Sequence, residues 1–308
     1  MERKVIVIVG PTCSGKTKVG ISLAEKLRTE IISADSRQLY KHLNIGTAKP
    51  TTDELAKVKH HLIDCFEPDE DYNVSKFEAD SLKIINGLLS QNKIPIVVGG
   101  SGLYIKALTK GIFNAVDVDE DYREELKVKR EKFGNEFLYD VLKKVDPESA
   151  SKMLPQNWKR IMRALEVFHL TGAPIWKFQK DHERKIDFDF IQYGLNWDRK
   201  ILYSNIEHRV DEMISNGLVH EVENILDRGY SKKINALNTV GYKEIISYLE
   251  NEIPLERAVE LIKRNTRRYA KRQMTWFRKT KEIHWFDYDK NISPEQIASQ
   301  ILKNFVES

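Results

Sequence analysis

One segment of the sequence has the residue types and spacing of a phosphate-binding loop. Residues 10–17 fit the pattern G-x-x-x-x-G-K-T. Backbone N–H groups of such a loop, and of the helix that follows it, converge on one point and favour an anion there. The lysine adds a charge for a terminal phosphate, and the final hydroxyl can bind Mg²⁺. The predicted diphosphate or nucleotide site comprises Gly10, Pro11, Thr12, Cys13, Ser14, Gly15, Lys16 and Thr17.

A second polar group, Asp35, Ser36, Arg37 and Gln38, follows a short apolar run at 30–34. Ligands of open parallel sheets bind at the carboxyl ends of the strands, so these side chains should lie near the loop. Asp35 is suited to act as a general base or a Mg²⁺ ligand. A carboxylate at the end of a strand is equally suited to cap a turn. The residue pattern leaves both roles open.

The segment 263–281 carries nine lysines or arginines and no acidic residue, with Tyr269, Trp276 and Phe277 interleaved. RNA phosphates attract such a charge run, and aromatic rings can stack on bases. The alternative is a solvated helix face whose aromatic residues belong to the core. We favour RNA binding, and the residues predicted to contact phosphates are Arg267, Arg268, Lys271 and Arg272.

Three smaller features are less informative. Basic residues 159, 160 and 163 form a second positive group, which ordinary surface charge explains equally well. His60, His61 and Asp64 lack the spacing of a zinc site, so a structural role is favoured. Cys13 is interpreted as a small packing residue rather than a nucleophile.

The segments around these residues alternate between strand and helix. The apolar run Val5–Val9 precedes the loop, and an amphipathic run at 18–28 follows it. Further strands are predicted at 30–36, 62–64 and 94–100, and helices at 53–60, 74–89 and 101–108. This alternation predicts an α/β fold with a parallel sheet flanked by helices.

The pattern changes near Asn114. From 117 to about 185 the sequence is charged and helical, with clear periodicity at 137–145 and 158–170. We interpret 115–187 as a helical insertion domain within a P-loop core made of 1–114 and 188–308. Strands are predicted again at 190–195 and 283–286, and helices at 199–215, 219–227, 243–249, 255–279 and 294–306.

The composition excludes several classes of protein. The chain has 308 residues, of which 41% are hydrophobic and 31% charged, enough for a large core. No run is long enough to span a membrane, and no signal peptide is visible. Two cysteines cannot form a disulfide framework, so a reducing cytoplasm is expected. A net charge of only +4 means that nucleic-acid affinity must come from local patches.

Eight motifs cover nearly the whole chain: GPTCSGKT at 10–17, DSRQLY at 35–40, IGTAKP at 45–50, HLID at 61–64, GGSGLY at 99–104, RIMRALEV at 160–167, VGYKE at 240–244 and RRYAKRQMTWFR at 267–278. Together and in this order they resemble the bacterial tRNA dimethylallyltransferases. Two departures are small, since Ser101 stands where the family usually has Thr and Cys13 where it has Ala.

The resemblance implies a specific reaction. Such enzymes transfer a dimethylallyl group from dimethylallyl diphosphate to N6 of adenosine 37 in tRNA, with Mg²⁺. Lys16, Thr17 and the loop amides would stabilise the leaving pyrophosphate, and Asp35 would accept the N6 proton. The adenine must be flipped out of the stacked loop.

The resemblance also implies roles for further residues, and it implies a cytoplasmic, monomeric enzyme with no membrane partner. Ser101 and Arg123 match positions at the transfer site. Residues 35–38 match one segment that contacts tRNA, and the second such segment comprises Gln156, Asn157, Trp158, Lys159 and Arg160.

Two rival functions remain open on the residues alone. A P-loop small-molecule kinase would explain the loop, the parallel sheet and Asp35, but not the basic segment or the insertion. The second rival function is that of a non-catalytic NTPase that binds RNA. Protection from thermal unfolding by dimethylallyl diphosphate or by ATP would discriminate among these functions.

Overall fold

The computed structural model describes residues 3–112, 118–180 and 184–307. Its strands are β1 Lys4–Val9, β2 Ile31–Ser33, β3 His60–His61, β4 Ile96–Gly99, β5 Asp189–Asn196 and β6 Ile283–Asp287. Its helices are α1 Lys16–Leu27, α2 Thr52–Lys57, α3 Val74–Ser90, α4 Gly102–Lys110, α5 Glu120–Val145, α6 Pro147–Ser151, α7 Trp158–Thr171, α8 Ile175–Lys180, α9 Arg199–Ser215, α10 Leu218–Asp227, α11 Tyr242–Leu249, α12 Leu255–Phe277 and α13 Pro294–Glu307. A 3₁₀ turn spans Pro155–Asn157.

The six strands form one parallel sheet in the order β3-β2-β4-β1-β5-β6. Side chains of β1 alternate between two cores, one on each face of the sheet. Ile6 and Ile8 pack with residues of α1 and α13. Val5, Val7 and Val9 pack in the core that includes residues of α3, α10 and α12. The predicted parallel sheet flanked by helices is confirmed.

Strand β3 differs from the prediction. The strand expected at 62–64 is wrong, because pairing with β2 occurs two residues earlier, at His60 and His61. Leu62 and Asp64 adopt positive φ angles of 61° and 53°, which end the extended backbone. Helix α2 ends at Lys57, three residues before the predicted end, because the backbone is already extended at Val58.

Two compact units divide the chain. The first comprises Met1–Thr109 and Ile186–Ser308 and contains the sheet; the second comprises Lys110–Lys185. The predicted boundary between 114 and 115 lies outside the described residues. The predicted boundaries of the two domains stay predictions.

The second unit is helical where it is described, as predicted for the insertion. Helices α5 and α7 pack around a core that includes Leu138, Leu142 and Leu165. Helix α5 is kinked at Gly134, whose φ of 84° is not helical. Gly172 ends α7 with a φ of 67°, a left-handed conformation that is typical of a glycine after a helix.

Within the described ranges, no helix is both long enough and apolar enough to cross a membrane.

Candidate active site

The loop between β1 and α1 has the geometry of an anion-binding turn. Gly15 caps α1 with φ 81° and ψ 9°, a left-handed conformation that glycine adopts without strain. A Cβ on Gly10 would lie 2.9 Å from Ser14 Oγ, so the loop closes tightly on itself. Helix α1 begins at Lys16. The loop amides and the amino end of α1 are thus directed to one place.

Lys16 connects this loop to the end of β2. Its Nζ donates to Pro11 O at 2.6 Å. Burial lowers the pKa of Lys16 to about 8, while the Asp35 carboxylate opposes that shift and Arg209 adds to it. Both side chains therefore act electrostatically on Lys16. The structure brings the predicted phosphate loop and the predicted carboxylate together.

Neighbouring elements hold the loop in place. The Trp197 indole Nε1 donates to Ser14 O at 3.0 Å. A Cβ on Gly15 would lie 3.0 Å from the Tyr288 ring, so that ring packs against the loop glycine. Cys13 is buried beside Ile206 and belongs to a small apolar cluster, in agreement with its interpretation as a packing residue. Residues that directly follow β5 and β6, together with α9, thus pack against the loop and hold it in place.

Asp35 caps a turn while facing the loop. Its Oδ1 accepts from Arg37 N at 2.8 Å and from Gln38 N at 3.4 Å. Ser101 Oγ accepts from Ser36 N at 3.2 Å, which ties the end of β4 to the same turn. The capping role is therefore real, and it orients the carboxylate. Because one oxygen serves the turn, a chemical role would fall to Oδ2.

Helix α12 places Tyr269 against this turn. Burial and the Asp35 carboxylate raise the pKa of Tyr269 to about 12, so the phenol stays protonated at neutral pH. The Ser101 side chain hydrogen-bonds the phenol and opposes that shift. The sequence pattern indicates that Tyr269 can stack on RNA bases. In the structure it lies beside Asp35, Arg37 and Ser101.

A segment at 43–49 forms another part of the site and is held by one carboxylate. Glu221 Oε2 accepts from Asn44 N at 2.9 Å and Ile45 N at 2.7 Å, and Oε1 accepts from Gly46 N at 3.0 Å. The Tyr242 hydroxyl donates to Oε1 at 2.6 Å. A Cβ on Gly46 would lie 2.4 Å from the Tyr242 ring, so only glycine fits there.

Gln38 joins that segment to the Asp35 turn. Its Nε2 donates to Thr47 O at 3.2 Å and Ala48 O at 3.0 Å. Its Oε1 accepts from Ser33 Oγ at 3.2 Å. The motifs at 35–40, 45–50 and 240–244 therefore meet in three dimensions.

These elements surround one cavity of about 1030 Å³. Its polar lining includes the predicted residues Lys16, Thr17, Asp35 and Arg272. An apolar part is lined by Ile206, Val210, Met213 and Ile262. Of the residues predicted from the sequence, the cavity lining contains Thr12, Cys13, Ser14, Gly15, Lys16, Thr17, Asp35, Ser36, Arg37, Gln38 and Arg272. The site thus combines a phosphate loop, a carboxylate and an apolar surface.

Other predicted residues of the first unit lie outside this lining. Ser101 contacts the Asp35 turn because its hydroxyl oxygen accepts a hydrogen bond from Ser36 N. Arg268 and Lys271 are exposed on α12. Arg267 forms an ion pair with Glu207 of α9 at 2.7 Å, so part of its charge is already neutralised. The basic segment 263–281 therefore has exposed cations beside paired ones, since Lys263 also pairs with Asp211 at 2.6 Å.

The predicted residues of the second unit form their own arrangement. The Arg123 Nε lies 2.7 Å from Glu166 Oε1, and Arg163 NH1 lies 2.5 Å from Glu166 Oε2. Glu166 is fully buried, and its Oε1 also accepts from Asp119 N at 3.0 Å. Arg123 is thus fixed by a carboxylate that sequence reasoning did not single out.

The segment 156–160 bridges the 3₁₀ turn and the start of α7. Gln156, Lys159 and Arg160 are exposed. Asn157 Oδ1 accepts from Leu154 N at 2.9 Å, which closes the 3₁₀ turn. The Arg130 guanidinium lies 4.0 Å from the centroid of the Trp158 ring. This segment presents polar and basic groups to solvent.

Sequence reasoning missed Arg209, Gln273 and Glu221. Arg209 and Gln273 line the cavity, and Glu221 holds the segment 43–49. Each stands in a helix between one polar and one apolar neighbour, so no local spacing marks it. The only usable signal is the spacing of Tyr269 and Gln273, four residues apart and hence on one helical face.

The fold and site define a class: a P-loop α/β protein whose binding cavity lies beside a basic helix. The chain belongs to the IPP transferase family, whose family model matches residues 38–280. It is 46% identical over 304 residues to the tRNA dimethylallyltransferase of Pelotomaculum thermopropionicum, covering 98% of this chain and 96% of that protein. For the tRNA dimethylallyltransferase of Alkaliphilus metalliredigens the identity is 44% over 305 residues, covering 99% and 97%.

Solved structures give the same relationship. The full-length tRNA isopentenylpyrophosphate transferase of Bacillus halodurans superposes with a TM-score of 0.72 at 39% identity, covering 99% of this chain and 98% of that one. A eukaryotic dimethylallyltransferase, described as acting on tRNA, gives a TM-score of 0.82 at 28% identity, covering 99% and 80%. The family resemblance of the motifs is confirmed.

Proposed function

We propose that this chain is a tRNA dimethylallyltransferase, which transfers a dimethylallyl group from dimethylallyl diphosphate to N6 of adenosine 37. One observation carries the proposal: the phosphate loop, Asp35 and an apolar surface share a single cavity. The apolar surface suits a five-carbon chain attached to a diphosphate. A kinase that binds a nucleotide and a polar substrate has no need of it.

The diphosphate end of the cavity is built for a leaving group. Loop amides and the Lys16 ammonium face the position where negative charge grows as the C–O bond breaks. Arg209 is close enough to shift the pKa of Lys16, so it adds a second positive charge. These groups hold the released pyrophosphate before it leaves.

Asp35 supplies the base. The exocyclic amine of adenine is a weak nucleophile because its lone pair is delocalised into the ring. As the N–C bond forms and the C–O bond breaks, the amine becomes acidic and its proton passes to Asp35 Oδ2. The two amide bonds to Oδ1 keep the carboxylate oriented for that transfer.

The donor set of the cavity fits Mg²⁺ that is bound chiefly through substrate. Thr17 offers a hydroxyl and Asp35 a carboxylate in the lining. Across the part of the chain that the structure describes, no three His, Cys, Asp or Glu side chains gather to hold a metal. Mg²⁺ bound to a diphosphate needs only one or two protein ligands. When bound, it neutralises charge on the diphosphate.

The RNA side of the proposal rests on the exposed cations. Arg268, Lys271 and Arg272 of α12 would contact phosphates, and the insertion segment 156–160 would contribute further polar contacts. The adenine must leave the stacked anticodon loop to reach Asp35. We also propose that the enzyme is a cytoplasmic monomer, in keeping with its free cysteines.

The direct test is incubation with labelled dimethylallyl diphosphate and unmodified tRNA, followed by mapping of the labelled nucleoside. We expect label on one adenosine beside the anticodon, and none with Lys16→Ala. A companion measurement compares protection from thermal unfolding by dimethylallyl diphosphate and by ATP. Protection by ATP alone, with no labelled tRNA, would refute the proposal in favour of a kinase or an NTPase.

A further inference from the structure

One side chain of α12 reaches into the phosphate loop. Gln273 is 7% exposed, and its Oε1 accepts from Thr12 N at 2.8 Å. Its Nε2 donates to Gly100 O at 2.9 Å. A Cβ on Gly100 would lie 2.4 Å from Nε2, so the amide fills the space that the glycine leaves open. One buried amide thus joins the loop after β1 to the turn after β4.

The bond to Thr12 N controls the peptide group that carries the Pro11 carbonyl. Thr12 N–H and Pro11 C=O belong to the same planar peptide unit, so fixing one fixes the other. Pro11 O is the acceptor for Lys16 Nζ at 2.6 Å. The orientation of this one peptide therefore determines where the Lys16 ammonium rests.

Only a primary amide satisfies both partners. Thr12 N–H needs an acceptor and Gly100 C=O needs a donor, which fixes the orientation of the Gln273 amide. A carboxylate would set an oxygen against the Gly100 oxygen and bring negative charge beside the phosphate site. A thioether of similar size would leave both backbone groups without partners.

We infer that Gln273 is a positioning residue for the diphosphate: through the Pro11–Thr12 peptide it sets the shape of the phosphate loop and the place of Lys16. It touches no reacting atom. The inference rests on the proposed function, since it assigns the loop to dimethylallyl diphosphate. Gln273 lies on α12 four residues after Tyr269, whereas the exposed Lys271 points to solvent. Substitution of Gln273 should therefore weaken diphosphate binding and leave RNA binding unchanged.

The experiment compares Gln273→Met and Gln273→Glu with the parent enzyme. The matched control is Thr275→Ala, an exposed neighbour whose hydroxyl donates to the Lys271 carbonyl of its own helix at 2.9 Å. Equilibrium binding of dimethylallyl diphosphate and of unmodified tRNA is titrated separately, and thermal midpoints report folding. A parent enzyme that binds no dimethylallyl diphosphate would refute the proposed function itself.

We expect both Gln273 variants to bind dimethylallyl diphosphate about ten- to a hundredfold more weakly. Methionine leaves Thr12 N and Gly100 O without a partner, whereas glutamate keeps the bond from Thr12 N but sets a negative charge against Gly100 O and beside the phosphate loop. Their tRNA dissociation constants should stay within about twofold of the parent, because the outward cations of α12 are unchanged. The inference is overturned if the parent binds the diphosphate and either folded variant binds it equally well. Equal weakening of both ligands would also overturn it, because that pattern marks a merely structural residue. If Gln273→Met does not fold, Gln273→Asn takes its place, because its uncharged amide is too short to reach both Thr12 N and Gly100 O.

Discussion

The pH dependence of diphosphate binding should follow the charge of Lys16. Burial lowers the pKa of this lysine to about 8 in the free protein, from an ordinary value near 10.5. Lys16 is therefore charged below pH 8 and loses its charge as the pH rises through 8. A bound diphosphate favours the charged form and raises the pKa. Affinity for the diphosphate should consequently fall above pH 8.

The size of the effect follows from that pKa. With a value of about 8, roughly nine-tenths of the free protein carries a charged Lys16 at pH 7 and roughly one-tenth at pH 9. If only the charged form binds tightly, affinity falls about tenfold over these two pH units. The ligand itself contributes little, because a terminal phosphate loses its last proton near pH 6.

Calorimetric titration of dimethylallyl diphosphate between pH 6.5 and 9.5 measures this directly. The control is Lys16→Arg, whose guanidinium stays charged throughout the range. We expect a tenfold decline for the parent and a flat profile for the arginine variant, whatever its absolute affinity. A flat profile for the parent would refute the reasoning, as would a parallel decline of both proteins.

Three other substitutions test the remaining parts of the site. Asp35→Asn keeps an oxygen for the amides of Arg37 and Gln38, so it should fold and bind both substrates. It cannot accept the proton, and single-turnover kinetics should show a rate about 10²–10⁴-fold lower; a rate within a few-fold of the parent would make Asp35 a capping residue only. Lys271→Gln should reduce the salt dependence of tRNA binding by about one unit. Arg267→Gln should reduce it less, because Glu207 already pairs with that guanidinium; equal slopes would show that the pairing does not matter.

The parts of the candidate site whose relative placement could be predicted from the sequence are those that short-range spacing determines. The glycine and lysine positions of the loop, and a carboxylate after the second strand, follow from rules that act within about ten residues. The parallel sheet follows from alternating apolar and amphipathic runs, because each such run must bury one face. Local sequence was therefore enough to bring Lys16 and Asp35 together.

The parts that were missed depend on contacts between distant segments. Gln273 and Thr12 are 261 positions apart, and nothing near either residue indicates the other. The place of Arg209 depends on the rotation of α9 against the loop, which sequence periodicity does not determine closely enough. Strand β3 was displaced because Leu62 adopts a left-handed conformation that a branched side chain disfavours, so tertiary packing overrides local preference there.

The carboxylate of Glu221 has a consequence for how the protein discriminates among anions. Three successive amides, those of Asn44, Ile45 and Gly46, converge on it as the loop amides converge on a phosphate. The described part of the fold thus contains an open phosphate loop and, at 44–46, a second set of converging amides that the Glu221 side chain fills. Glu221→Ala should leave these three amides without their acceptor and weaken activity. Added formate or acetate should bind to the amides and restore part of that activity. If small carboxylates do not restore activity, the segment requires the covalent link between the carboxylate and α10, and not only the negative charge. In the parent protein the Glu221 side chain fills these amides, so a diphosphate cannot bind to them.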